Sequence, residues 1–120
     1  MRKELIEGNP LLKLSIDFSL SVIEYCELLN GAGKYILAKQ LMRSATSIGA
    51  NSMEAQNAES KADFIHKMKV AAKEADETQY WLVLCENGQN YPKPIGLPDK
   101  LETLNKILGS IISTSKRKIG

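Results

Sequence analysis

The sequence has very few of the side chains on which metal sites and nucleophilic catalysis depend. It contains one histidine, His66, and two cysteines, Cys26 and Cys85, among 120 residues. One histidine cannot serve both a catalytic triad and a metal site, and the cysteines lack the spacing of metal-ligand motifs. Both cysteines fall within helical patterns, so we expect them to be reduced and semi-buried. The sequence therefore predicts neither a metal site nor a cofactor.

Long apolar runs and a strong charge of one sign are also absent. No run of about 18 apolar residues occurs, and the N-terminal MRKELIEGNP lacks the apolar segment of a signal peptide. We therefore expect a cytoplasmic protein that does not associate with membranes. Sixteen basic and fourteen acidic side chains give a net charge of +2, too little to indicate a nucleic-acid-binding protein unless the basic residues share one face.

Proline and glycine separate four long segments with helical periodicity, and no segment alternates with the period of a strand. Asn9 and Pro10 predict the start of a helix, and Ser60 with Asp63 resembles a capping box. The sequence GQNYPKPIGLP (88–98) predicts a long ordered loop. The predicted helices span approximately residues 10–30, 34–57, 60–87 and 98–115. Short connections between the first three favour an all-α fold, a single antiparallel up-and-down four-helix bundle domain over residues 1–120.

The first predicted helix is apolar over an unusually wide surface. Beyond the face that carries Leu14 and Phe18, a second apolar set follows it, consisting of Leu12, Ile16, Leu20 and Ile23. This is more apolar surface than one side of a small bundle needs. Either the surplus is an interface between protomers or the helix lies unusually deep. We favour the interface, because large exposed apolar patches are rare on monomers.

Polar side chains form a stripe beside the apolar face on the second helix and another on the third. The first stripe contains Gln40, Arg43, Ser47, Asn51 and Glu54, and the second contains Lys67, Glu74, Glu77 and Trp81. If the helices are antiparallel neighbours, Arg43 meets these carboxylates, with Ser47 and Asn51 adding hydrogen bonds. We interpret this set as a half-buried structural network that fixes the helix register. The alternative is acid–base or metal chemistry at Glu74 and Glu77, which the lack of a nearby histidine makes a poor fit. We therefore expect no enzymatic activity.

Basic side chains are the remaining candidates for function. The candidate nucleic-acid-binding residues are Lys39, Lys69, Lys73, Lys116, Arg117 and Lys118. In a monomer each is more simply explained as part of a solvated face or a basic helix C-terminus. Assembly of identical subunits would multiply a modest basic patch into a continuous surface, and phosphate affinity grows with the number of contacts.

The run QLMRSATSIGANSMEA, followed by SKADFIHKMKVAAKEADETQYWL, resembles a bacterial family of four-helix-bundle proteins. These proteins are encoded in intervening sequences of large-subunit ribosomal RNA genes, and the family includes the accessory variability determinant of diversity-generating retroelements. The positions that carry the resemblance most sharply are Arg43, Ser44, Ser47, Ile48, Asn51, Glu54, Glu74, Glu77 and Trp81. The resemblance implies an up-and-down bundle that assembles as a homopentamer. For the retroelement members it implies binding of nucleic acid and of a reverse transcriptase.

These observations lead to three functional hypotheses. The first is a non-enzymatic accessory protein that binds RNA or DNA through phosphate contacts, in the retroelement setting beside a reverse transcriptase. The second is a protein-interaction scaffold with no nucleic-acid role. The third is an enzyme or metal protein that uses Glu74 and Glu77. The sequence favours the first.

Overall fold

Helices make up most of the chain. The computed structural model describes the backbone of residues 3–119 and the side chains of residues 3–117. Within these ranges it contains α1 (Lys3–Glu7), α2 (Pro10–Gly31), α3 (Tyr35–Ala55), α4 (Lys61–Asn87) and α5 (Leu97–Ile119), and no strand. The prediction of an all-helical protein is confirmed.

Two helix ends differ from the predicted ranges by more than one residue. Helix α3 ends at Ala55 rather than at residue 57, and α5 begins at Leu97 and continues to Ile119 rather than ending near residue 115. The short helix α1 was not predicted, because five residues with adjacent Leu5 and Ile6 do not show a helical period.

Side-chain caps define where two of the long helices begin. Asn9 accepts a hydrogen bond from the backbone N–H of Leu12, and Pro10 occupies the first turn of α2. Ser60 accepts from the N–H of Asp63, and the Asp63 carboxylate accepts in return from the N–H of Glu59. The capping box that the sequence predicted at α4 is therefore present, but the Asp63 carboxylate bonds to the N–H of the residue before the N-cap instead of to the N–H of the N-cap itself.

The proline-containing segment between α4 and α5 is held against the helices. Tyr25 of α2 donates its hydroxyl to the carbonyl of Pro92 at 2.5 Å, and the Tyr91 ring packs against the core. The Lys34 ammonium lies 4.6 Å from the centre of that ring, within the range of a cation–π contact. Gly96 then adopts a φ of +83°, which is accessible to glycine without steric cost, immediately before α5 begins.

The four long helices enclose one hydrophobic core. Helix α2 packs against α3 and α5, and α4 packs against the same two helices, so α2 and α4 lie diagonally across the core. The largest fully buried apolar side chains include Phe18, Leu41, Ile48, Met68 and Leu104. Alanines at positions 45, 71 and 75 are also completely buried, which lets the helix backbones approach closely.

The second apolar set of α2 does not lie deep in the core along its whole length. Leu12 is 1% exposed, but Ile16 is 38% exposed and Leu20 is 58% exposed. The alternative of an unusually deep helix is therefore wrong for this part of α2. Surplus apolar surface remains open to solvent in the single chain.

Candidate nucleic-acid interface and interhelical polar network

Arg43 of α3 connects to two carboxylates of α4. Its guanidinium lies 3.4 Å from Glu74 and donates a second hydrogen bond to Glu77. The same carboxylate oxygen of Glu77 accepts from the indole N–H of Trp81 at 3.0 Å. One arginine therefore holds two carboxylates that are one helical turn apart, and the tryptophan orients the second of them.

This part of the network is partly solvent-accessible. The Arg43 side chain is 48% exposed, and those of Glu74 and Glu77 are 22% and 36% exposed. Hydrogen bonds from Trp81 and then Arg43 hold the pKa of Glu77 below its ordinary value, and the bond to Glu77 raises the pKa of Arg43. Because water screens these charges, the ion pairs orient the helices without the large stabilisation of a fully buried pair.

Of the remaining α3 residues in the predicted network, only Glu54 contacts α4. The Ser47 hydroxyl donates to the carbonyl of Arg43 at 2.7 Å, and the Asn51 amide donates to the carbonyl of Ser47 at 2.9 Å. Both bonds therefore stay within α3. Gln40 is half-buried and makes no hydrogen bond to another side chain among residues 3–117. Glu54 does reach α4, where it lies 3.7 Å from the Lys67 ammonium.

The structure contains a buried hydrogen bond between α3 and α4 that the sequence did not predict. The Oγ1 of Thr78 lies 2.8 Å from the Oγ of Ser44, and both side chains are fully buried. Thr78 also lies 2.8 Å from the carbonyl of Glu74, one turn earlier in its own helix. The sequence signal for this bond is a threonine within the apolar period of α4.

The basic candidates are not all in one place. Lys69 of α4 and Lys116 of α5 lie side by side, and the close contact with Lys116 lowers the pKa of Lys69. Lys73 is exposed one turn further along α4, and exposed Arg117 follows Lys116 on α5. These four residues, Lys69, Lys73, Lys116 and Arg117, are referred to below as the basic cluster.

Two candidates lie outside the basic cluster. Arg43 of α3 contacts Glu77 of α4. Lys39 is exposed on α3, four residues to one side of this contact, and Lys69 lies on α4, eight residues to the other side. At 1.5 Å per residue this separates Lys39 from Lys69 by about 18 Å along the helix axes. The side chain of Lys118 lies outside the described residues.

No cluster suited to metal binding occurs in the part of the chain that the structure describes. Arg43 already engages both Glu74 and Glu77, and His66 is exposed on the surface of α4. Cys26 and Cys85 are free thiols, but they are fully rather than partly buried. Burial raises the pKa of Cys26 to about 11, so this thiol is not poised to react.

The described helices also include none that is long and apolar enough to cross a membrane. The fold and these sites together define an all-helical protein with a polar connection between α3 and α4 and a basic cluster on α4 and α5.

Comparison with known proteins gives the family. The family model for 23S rRNA-intervening sequence proteins matches residues 8–110, and the chain belongs to this family. It is similar to a crystal structure of a protein of unknown function from the S23 ribosomal protein family of Bacteroides thetaiotaomicron VPI-5482. The TM-score is 0.79 with 38% sequence identity, and the match covers 85% of this chain and 97% of that chain. No curated protein matches the chain. The resemblance drawn from the sequence is confirmed at the level of the family.

Proposed function

We propose that this protein is a non-enzymatic, cytoplasmic accessory protein that binds RNA or DNA through phosphate contacts and does not read base sequence. The observation that carries the proposal is the pairing of Lys69 with Lys116. Two like charges from different helices lie close to each other, and neither has a carboxylate partner among the described side chains. An arrangement that repels itself in isolation is stabilised when an anion binds between the two ammonium groups.

The position of these lysines in α4 is compatible with this interpretation. Lys69 and Lys73 lie more than two turns from the start of α4, beyond the reach of the charge effect at the helix end. The exposed aromatic Tyr80 lies about two helical turns beyond Lys73, and stacking on bases is not part of the proposed contact.

The fold underlying this proposal is an antiparallel up-and-down four-helix bundle. Contacts between α3 and α4 pair Arg43 with Glu77 and Glu54 with Lys67, so residue numbers rise along one helix as they fall along the other. Helices α2 and α3 show the same trend, because Cys26 contacts Ala38 and Ser15 faces Gly49. Such a bundle brings the start of α4 beside the end of α5, where the basic cluster lies.

We also propose that the protein self-associates, as a homopentamer in the form that the resemblance implied. The exposed apolar residues of α2 support self-association, because such patches are uncommon on monomers. Static light scattering should then give five times the 13.3 kDa mass of the chain. The same resemblance extends the proposal to a reverse transcriptase as partner, which co-purification with the neighbouring gene products would test.

Binding to a generic oligonucleotide, measured by fluorescence anisotropy over a salt titration, tests the nucleic-acid proposal. The logarithm of affinity should fall linearly with the logarithm of salt concentration. The double variant Lys69→Gln/Lys116→Gln should bind more weakly, with a slope shallower by about two for each chain that contacts the strand. Lys39→Gln, an exposed lysine outside the cluster, is the matched control and should retain both affinity and slope. Absence of binding at about 50 mM salt would contradict the proposal.

A protein-interaction scaffold is the second candidate, and the exposure of Leu20 and Ile16 on α2 specifically favours it. On this hypothesis the apolar surface of α2 recruits a different protein and nucleic acid is not involved. A partner that remains bound after nuclease treatment and at high salt would support it. Loss of that partner on nuclease treatment would instead favour the nucleic-acid proposal.

A further inference from the structure

A groove runs between the last turns of α4 and the first turns of α5. Its volume is about 360 Å³, and its floor is apolar, because Leu82 and Leu101 lie beneath it and are each 2% exposed. Val83, which is 46% exposed, extends this apolar surface up the α4 wall. Polar side chains of both helices stand along its walls, namely Gln79, Glu86, Glu102 and Asn105. We call this feature the α4–α5 groove.

The α4–α5 groove carries negative charge that the chain itself leaves largely uncompensated. Glu86 forms no ion pair within the described part of the chain, and Glu102 pairs only with the exposed Lys106 of its own helix, at 3.4 Å. Water screens such an exposed pair, so it is easily exchanged for another. No described lysine or arginine lines the groove, and nearby Lys93 donates to the main-chain carbonyl of Glu86 rather than to its carboxylate. The groove therefore offers two carboxylates, one on each helix, to a positively charged ligand.

Two amide side chains complete the polar walls. Gln79 of α4 and Asn105 of α5 have no hydrogen-bond partner among the described residues. Each amide has donors and an acceptor, so it can bond to both the N–H and the C=O of a peptide chain. Gln79 precedes Glu86 by seven residues, about 10 Å along α4, which matches about three residues of an extended chain. These walls suit a peptide better than a small amine, which has no acceptor for the amide N–H groups.

We propose that the α4–α5 groove binds a lysine- or arginine-rich segment of another protein. The aliphatic stem of a long basic side chain lies on Leu82 and Leu101, and its charged end pairs with Glu86 and Glu102. Charge complementarity therefore selects the partner, and the apolar floor adds the contact that a free cation would not use. A nucleic-acid strand is repelled from the groove, because its phosphates have the charge of the two carboxylates.

This site is separate from the one proposed for nucleic acid. Lys73 precedes Glu86 by 13 residues on α4, which places them about 20 Å apart along the helix axis. The helix pair α4 and α5 thus presents basic side chains at one end and the α4–α5 groove towards the other. One chain can hold a nucleic-acid strand at the basic cluster and a basic protein segment at the groove, and so bring the two together.

Fluorescence anisotropy with a short labelled peptide of alternating lysine and leucine tests the proposal. The full chain at about 50 mM salt should bind this peptide and should not bind a peptide of alternating glutamate and leucine. Glu86→Gln/Glu102→Gln removes both charges at nearly constant shape and should weaken binding of the lysine peptide about tenfold, the value of two partly exposed ion pairs. Glu7→Gln/Glu27→Gln removes two exposed carboxylates of α1 and α2 and should bind as the wild type does.

Two results of this experiment would overturn the proposal. One is failure of the wild-type chain to bind the lysine peptide, and the other is an equal loss in the two double variants, which would assign the attraction to overall charge instead of to the groove. As a positive readout, Glu86→Lys/Glu102→Lys should lose the lysine peptide and bind the glutamate peptide. Glu86→Gln/Glu102→Gln should keep wild-type affinity for the oligonucleotide, so the outcome for nucleic acid is recorded separately.

Neighbouring residues of α4 test the apolar part of the contact. Val83 lines the groove, whereas Leu84 is 38% exposed but does not line it. Val83→Ser should weaken binding of the lysine peptide about tenfold, because the peptide loses apolar surface to cover, and Leu84→Ser should not change it. Equal effects would place the peptide on the outer face of α4 and would contradict the proposal.

Competition and light scattering distinguish the alternative occupants. An equal concentration of 1,4-diaminobutane should not displace the peptide, and displacement would show that the groove is a site for small amines. Adding the peptide should not reduce the number of chains per particle. A fall in particle mass would show that the groove holds the basic end of α5 from a second copy, and would overturn the choice of a different protein.

Discussion

The contact between Ser44 and Thr78 contributes to stability in a different way from the ion pairs of Arg43 beside it. Both hydroxyls are fully buried, so removing one leaves the other without access to water and with only a carbonyl contact inside its own helix. The guanidinium of Arg43 and the carboxylate of Glu77 are partly exposed and can be rehydrated when their partner is lost. At the residue scale the buried pair therefore matters more to stability than the more conspicuous charged residues.

Replacing Thr78 by valine tests this difference. Valine keeps the shape of threonine but removes the hydroxyl, so Ser44 loses its interhelical hydrogen bond. We expect Thr78→Val to lower the free energy of unfolding by about 1–3 kcal/mol, measured by urea denaturation. In Ser44→Ala/Thr78→Val neither hydroxyl remains, and the double variant should lose less stability than the sum of the single changes. Additive losses would show that the two residues act independently.

The lowered pKa of Glu77 predicts a dependence of stability on pH. Its carboxylate is favoured in the folded state by Trp81 and Arg43, so the folded pKa lies below the ordinary value of 4.5. This contribution is present above pH 4.5 and is lost as the pH falls through the folded pKa. The thermal midpoint of Glu77→Gln should therefore lie below that of the wild type at pH 7, and the difference should shrink towards pH 3. A difference that does not change with pH would exclude an ionic origin.

At the element scale, the sequence was sufficient to predict the long helices and the interactions at their ends. Asn9 and Ser60 cap α2 and α4 as expected, because a cap depends on residues within a few positions of each other. Helical phase also indicated correctly that Arg43 faces Glu74 and Glu77. These are local or strongly periodic features, and one sequence contains the information for them.

Other features depend on side-chain hydrogen-bond partners and on helix register, which helical phase does not determine. Ser47 and Asn51 lie on the predicted face, but their side chains bond to carbonyls of their own helix, a competing arrangement open to short polar residues. The pairing of Lys69 with Lys116 requires the register of α4 against α5, which are separated by a loop. For the same reason the sequence grouped Lys39 with residues that lie far from it.

Two glycines inside helices provide a test of how closely α2 and α3 pack. A Cβ added to Gly109 of α5 would meet no atom within 4 Å, so Gly109→Ala should raise the free energy of unfolding by about 1 kcal/mol. The same change at Gly49 gains the same helix propensity but places a methyl group 3.2 Å from the Cβ of Ser15. Urea denaturation should show a smaller gain for Gly49→Ala. Equal gains would mean that the two helices can separate at no cost.

At the scale of the whole molecule, the small net charge of +2 is the main obstacle to nucleic-acid binding by a single chain. The basic cluster offers only four cations per chain, at the end of α5 and the beginning of α4. If several chains assemble, the first basic cluster that binds a nucleic-acid strand holds the strand close to the other clusters. The contacts that follow are then intramolecular, which raises the overall affinity. The proposed assembly and the proposed nucleic-acid binding are therefore connected, because assembly supplies the number of basic clusters per particle that binding requires.

Leu20→Asp separates the contribution of assembly from that of the basic cluster itself, because Leu20 is far in sequence from every residue of the basic cluster. At equal chain concentration, this variant should bind a long oligonucleotide roughly 100-fold or more weakly than the wild type, with a shallower salt dependence. Leu28→Asp introduces the same charge on the same helix and should bind as the wild type does. Fluorescence anisotropy and light scattering on the same samples give affinity and mass together. If monomeric Leu20→Asp retained wild-type affinity, the four cations of one chain would be sufficient for binding, and assembly would have to serve a different purpose.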